Sequence, residues 1–149
     1  MKINKEEIEK LSKIADEIIE FQESNALLSG SLALYQQSIP ILRTPKDIDI
    51  VMLKGFSFKK LEGMTRVIGA ENDEYDNDYY ERISYSYKGI QVDVFIPLDD
   101  VENMLVSEDS PTVVHYAEIM KMKIMHAYGE HYTRYKHQKD IIHFINLAD

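Results

Sequence analysis

The chain has 149 residues, 44% of them hydrophobic, and a formal net charge of −9. That length suits one domain, residues 1–149, with a sizeable core, and the negative balance argues against non-specific binding along nucleic acid, which needs a cationic surface. No run of 18 apolar residues offers a membrane span, the lack of cysteine removes disulfides and thiolate metal sites, and the charged start Met1-Lys2-Ile3-Asn4-Lys5-Glu6-Glu7 has no apolar signal-peptide stretch, so a cytoplasmic protein with no membrane partner is expected.

In chain order, residues 4–22 read as an amphipathic helix with Ile8, Leu11, Ile14, Ala15, Ile18 and Ile19 on one stripe. A buried strand at 26–29 runs into a turn and a helix over about 31–37, and Pro40 and Pro45 mark a loop. The strand Asp47–Met52 follows, then a predicted short helix over 57–67 with Phe58, Leu61, Met64 and Val67 apolar. Residues 71–81 carry six acidic side chains and no basic one, which reads as a solvated loop or strand edge. Strands over 79–87 and 90–97 meet at Lys88-Gly89, a hairpin turn by spacing and glycine. Asp99-Asp100 suggests a cap for a short helix to about 106. Pro111 suggests the start of a helix reaching Tyr128, closed by Gly129, and a last helix is expected over 131–147. The sum is an α/β (α+β) fold: a small mixed sheet flanked by helices, with its core at about 25–97 and a helical C-terminal part at about 112–147.

Three aspartates stand out against this frame. Asp47 and Asp49 alternate with Ile48, Ile50 and Met52, so the two carboxylates share one strand face, about 6–7 Å apart, while the apolar set faces a core. Asp93 sits in Ile90-Gln91-Val92-Asp93-Val94-Phe95-Ile96, opposite the Val92, Val94 and Ile96 face. If the two strands are close in one sheet, three carboxylates converge, and such a group stays ionised only with a cation. Mg²⁺ suits oxygen ligands of this kind together with substrate phosphates. Aspartates alternating on a strand are also a common solvated face, so the pair alone does not decide the matter.

Upstream, Asn25-Ala26-Leu27-Leu28-Ser29-Gly30-Ser31-Leu32-Ala33-Leu34-Tyr35 reads as strand, tight turn and helix start, with Gly30 allowing close backbone approach and Ser31 a hydroxyl where free N–H groups bind phosphate. The order Gly30-Ser31, then Asp47-Ile48-Asp49, then Asp93 resembles the polymerase-β-type nucleotidyltransferase superfamily. The stretches Gly30-Ser31-Leu32-Ala33-Leu34 and Arg43-Thr44-Pro45-Lys46-Asp47-Ile48-Asp49 are most similar to its stand-alone, abortive-infection-type toxin branch. Lys121, Lys123 and Lys136-His137-Gln138-Lys139-Asp140 resemble that branch more loosely.

The resemblance implies a Mg²⁺- or Mn²⁺-dependent transfer of a nucleoside monophosphate from a nucleoside triphosphate, ATP among the candidates, to an acceptor hydroxyl with release of pyrophosphate. It implies Asp47, Asp49 and Asp93 as catalytic metal ligands, Gly30 and Ser31 against the triphosphate, and Lys123 or Lys136 against charge growing on pyrophosphate. The toxin-like branch favours a tRNA or protein acceptor over a small molecule and brings a possible cognate antitoxin. The alternative is a non-catalytic nucleotide-sensing or partner-binding module on the same fold.

Elsewhere the signals are plainer. Residues 121–140 hold five Lys or Arg against two Asp or Glu, a local patch able to hold a triphosphate tail or an RNA end. His115, His126, His131, His137 and His143 form no i,i+4 pair for a helical zinc site. Tyr79, Tyr85 and Tyr87 fit cross-strand packing, and Met120, Met122 and Met125 fit core filling.

Overall fold

Three strands rich in β-branched and aromatic residues, a short Ala-Leu-Leu-Ser strand and one two-residue edge strand build a mixed sheet in this computed structural model, which describes residues 3–68, 79–98, 101–128 and 134–148. The strands are β1 (Ala26–Ser29), β2 (Asp47–Met52), β3 (Thr65–Arg66), β4 (Tyr80–Tyr87) and β5 (Ile90–Pro97), in spatial order β1-β2-β5-β4-β3. The pair β2–β5 is parallel and the other pairs are antiparallel. Helices α1 (Lys5–Phe21) and α2 (Gly30–Gln36) flank the sheet, and α3 (Tyr116–Tyr128) and α4 (Arg134–Ala148) form the helical C-terminal part. The architecture is α+β.

One face of the sheet is apolar throughout its centre. Ile48, Ile50, Val92 and Val94 are completely buried, and Leu28 joins them across the register Leu28–Ile50–Val94. Helix α1 lies over this face: its stripe Ile8, Leu11, Ile14, Ala15, Ile18 and Ile19 is buried, and Tyr87, which shares the face, donates a hydrogen bond from its hydroxyl to Glu17. Asn4 caps the helix, its Oδ1 accepting from the Glu7 N–H at 3.2 Å, and Glu6 and Glu7 complement the positive end. The β4–β5 hairpin turns at Lys88-Gly89 with φ of 52° and 77°, the left-handed pair of a type I′ turn whose twist matches that of the strands. That turn sets the register that opposes Ser84 to Asp93. Tyr85 packs on Phe58 with ring centroids 5.5 Å apart, whereas Tyr79 is half exposed.

Three expected helices differ. Residues 57–64 are not helical, and only Thr65–Arg66 pairs, as β3. Leu61 and Met64 are buried, but the segment is held from outside by Gln22, whose amide donates to Lys59 O and accepts from Lys59 N, each at 2.8 Å. Residues 101–106 form no helix, and Val106 bridges Val114; Asp99 and Asp100 lie outside the described residues. The helix expected from Pro111 begins at Tyr116, because Thr112–Val114 are drawn out along the free edge of β1. Leu28 N donates to Thr112 O at 2.7 Å and Val114 N to Leu28 O at 2.8 Å, which covers an edge that would otherwise expose unpaired backbone groups. The acidic run at 71–78, together with Gly129 and His131, also lies outside the described residues.

Candidate active site

The face opposite α1 is polar where the apolar one is not. Register places Ser29, Asp49, Asp93 and Ser84 side by side across four strands, with Asp47 beside Gln91 in the next same-face row. Asp47 and Asp49 share a strand face as their spacing requires, and the parallel β2–β5 pair brings Asp49 next to Asp93. The three carboxylates differ sharply in exposure: Asp47 is exposed, Asp49 half-buried and Asp93 buried at 7%. Asp93 is held within the sheet, its Oδ1 accepting from Ser84 Oγ at 2.6 Å and from Gln91 Nε2 at 3.0 Å.

Gly30 explains why a glycine precedes the serine. It sits at the β1–α2 junction with φ of +71°, and a Cβ there would lie 2.0 Å from Asp49 Oδ2 and 2.9 Å from its Cγ. The absent side chain is the space the Asp49 carboxylate occupies, so Gly30 and Asp49, 19 positions apart in sequence, form one unit. Ser31, one residue on, lines an open cleft of about 690 Å³ together with Glu7, Arg43, Thr44, Pro45, Lys46, Asp47 and Asp49. That volume falls within the usual range of small-molecule sites.

The cleft wall is the loop before β2. Two prolines stiffen it, Thr44 Oγ1 accepts from the Asn4 N–H at 2.9 Å, and Arg43 is tied to the C-terminal helices. Arg43 Nη2 lies 2.8 Å from Asp140 on α4, and Lys123 Nζ on α3 donates to Asp140 Oδ2 at 2.8 Å. Burial alone would raise the Asp140 pKa, but Lys123 first and Arg43 second hold the carboxyl below its ordinary value. Lys123 is itself only 7% exposed, so the lysine expected against pyrophosphate is a buried ion-pair partner beneath the cleft. Ser31, Arg43, Lys123, Asp140 and His143 line one small cavity. The Lys136 and His137 side chains fall outside the described residues, as do those of His126 and Met125.

Ser84, Gln91, Arg43 and Asp140 are the participants that sequence reasoning gave no role. Strand alternation and the Lys88-Gly89 turn suffice to place Ser84 and Gln91 next to Asp93. Nothing local signals the Arg43–Asp140 contact, which spans 97 positions.

The carboxylate row has the chemistry of a site for a hard divalent cation. Among the described residues no three His, Cys, Asp or Glu side chains are already gathered as a metal-holding group. The donor set is nonetheless all oxygen, Asp49 and Asp93 are register neighbours, and Gly30 clears room for the Asp49 carboxylate. These residues fit Mg²⁺ or Mn²⁺, which take carboxylates together with substrate oxygens. In comparisons with protein-family models, curated proteins and solved structures, nothing matches the chain. Among the described residues no helix is long and apolar enough to cross a membrane.

Proposed function

We propose that this chain is a Mg²⁺- or Mn²⁺-dependent nucleotidyltransferase that moves a nucleoside monophosphate from a nucleoside triphosphate to an acceptor hydroxyl, on tRNA or protein, and releases pyrophosphate. The observation that carries the reading is the joint placement of Gly30, Asp49 and Asp93: a glycine whose missing Cβ is filled by one carboxylate, itself beside a second on the adjacent strand, with Asp49 lining a cleft together with Ser31 and Asp47. In the reaction the acceptor oxygen bonds to the α-phosphorus, the bond from that phosphorus to the bridging oxygen of the β-phosphate breaks, and the hydroxyl proton leaves to solvent. When bound, the metal supplies positive charge to the entering and leaving oxygens. Asp47, Asp49 and Asp93 would hold it. Ser84 and Gln91 hold the Asp93 carboxylate by hydrogen bonds, and Ser31 lines the cleft that the triphosphate would enter.

The test is label transfer. Protein incubated with each α-labelled nucleoside triphosphate, Mg²⁺ and either total tRNA or lysate protein should label one acceptor pool, and Asp49→Asn should not. Transfer by Asp49→Asn at the parent rate would sink the metal-carboxylate reading. A second reading, a nucleotide-sensing or partner-binding module, draws on Asp93 being already engaged by Ser84 and Gln91. It gains if the parent binds a triphosphate yet labels no acceptor.

A further inference from the structure

The cleft has a cationic corner that the carboxylates do not account for. Arg43 and Lys46 are its two basic lining residues, on opposite sides of Thr44 and Pro45. Arg43 contacts Asp140 through Nη2 alone; among the described residues its Nη1 and Nε make no hydrogen bond to protein. The side chain is 31% exposed, and Arg43 lines the cleft together with Ser31, Asp47 and Asp49. Behind it the anchor is firm. Asp140 is 12% exposed and Lys123 8% by side chain, and that ion pair joins α3 to α4 beneath the loop. The arrangement differs from an ordinary surface pair, in which both ions are solvated and worth little. Here a buried lysine fixes a carboxylate, and the carboxylate fixes one edge of the guanidinium of a residue that lines the open site.

We propose that Arg43 is the positioning residue for the polyphosphate tail of the nucleotide, held ready by Asp140 and Lys123, so that the pyrophosphate end lies toward the Arg43–Lys46 side of the cleft. This rests on the nucleotidyltransferase reading and adds a direction to it. A planar fork gripping phosphate oxygens in pairs is a task arginine performs and lysine does not. It also supplies the positive charge that Lys123, spent on Asp140, does not bring to the cleft surface. A triphosphate approaching three carboxylates in a protein of net charge −9 needs such a contact to bind at all before metal neutralises it.

The experiment is calorimetric titration of the parent, Arg43→Gln and Arg43→Lys. Three probes are used: inorganic tripolyphosphate in EDTA, then a nucleoside triphosphate and the matching monophosphate, both with Mg²⁺. Arg43→Gln should bind tripolyphosphate and the triphosphate about 10–100-fold more weakly, the loss of charged hydrogen bonds, while monophosphate affinity changes less than about threefold. Arg43→Lys should recover only a minor part of the loss. Equal losses for triphosphate and monophosphate, full rescue by lysine, or parental affinity in Arg43→Gln would each overturn the assignment, as would a folded parent that binds no tripolyphosphate. The two levels separate cleanly. A parent that binds tripolyphosphate through Arg43 but transfers no label leaves the anion site standing and removes the enzyme. A parent that transfers label, with Arg43→Gln unchanged in binding, keeps the enzyme and removes this role for Arg43.

Discussion

On one face of β2 and β5, Ile48, Ile50, Val92 and Val94 are completely buried; on the other face of the same strands, Asp47, Asp49 and Asp93 run from exposed to buried. One residue of shift along the chain separates the two environments, because side chains alternate. The apolar face is held by area and shape, and any polar intruder there lacks a partner. The polar face is built differently. Its like charges repel in the metal-free protein, and its order comes from directed contacts: Ser84 and Gln91 on Asp93, and Gly30 against Asp49. Stability is concentrated on one side of the sheet and the proposed chemistry on the other, so substitutions of similar size on the two faces should have opposite consequences.

The largest contrast is expected from Val94→Asp. It puts an unpaired charge where exposure is nil, a cost above about 4 kcal/mol and enough to unfold an ordinary domain. Circular dichroism melts should show no cooperative transition; a soluble, cooperatively melting variant would mean the strand faces are assigned backwards. Next in size is Lys123→Ala. Lys123 shares Asp140 with Arg43, so the carboxylate keeps one partner, and a loss of about 3 kcal/mol, the low end for breaking a buried pair, is expected in denaturant titrations at pH 7. The pH dependence has a definite sign. The folded pKa of Asp140 is depressed, so its contribution is present above the unfolded value of about 3.9 and is lost as pH falls through the folded one. The gap between parent and Lys123→Ala should therefore narrow below about pH 4, and a gap that stays constant down to pH 2.5 would show that the charge pair is not its source.

Smaller again is Gly30→Ala. A left-handed φ of +71° and a contact at 2.0 Å act together, but the contacted atom is the end of a side chain that can turn away. About 1–3 kcal/mol is expected, with transfer activity falling far more than stability because Asp49 is what moves. A melt and a label-transfer assay on the same preparation separate the two effects, and parental activity in a folded Gly30→Ala would break the link between the turn and the carboxylate.

How much of this could be read from the chain follows from which signals were local. The α1 stripe, the β1 run and the Lys88-Gly89 turn are each written in consecutive residues, and all appear in the structure. The face assignment of the three aspartates needed only alternation. The misread segments share a cause. Phe58, Leu61 and Met64 have helical spacing, yet Leu61 and Met64 are buried and Phe58 partly buried in a loop that Gln22 pins at Lys59. Pro111 looks like a helix start, but Thr112–Val114 complete the edge of β1 with backbone bonds, and β-branched valines favour that extended form. In both cases a partner far along the chain overrode a local pattern. The Lys123–Asp140 ion pair is likewise set by the fold: the family resemblance implies a phosphate contact for Lys123, and only the packing of the two C-terminal helices brings Asp140 to it.

The smallest expected effect falls on Asp49→Asn, and it is the one that tests the comparison most directly. The substitution keeps size and shape, retains one oxygen able to accept a hydrogen bond, and fits the same space beside Gly30. What it removes is one negative charge from a row in which Asp93 is the register neighbour and Asp47 lies two residues away. Close like charges cost free energy when no cation is bound, so the variant should be as stable as the parent or more stable by up to about 1 kcal/mol, in the manner of substitutions that trade function for stability. Adding Mg²⁺ and a triphosphate should then reverse the order: the parent gains melting temperature by ligand linkage and Asp49→Asn gains little. Melts in EDTA and in Mg²⁺ with triphosphate give all four numbers. If Asp49→Asn is clearly less stable than the parent in EDTA, Asp49 serves the fold rather than the chemistry, and the division between the two faces of the sheet does not hold at the residue where it matters most.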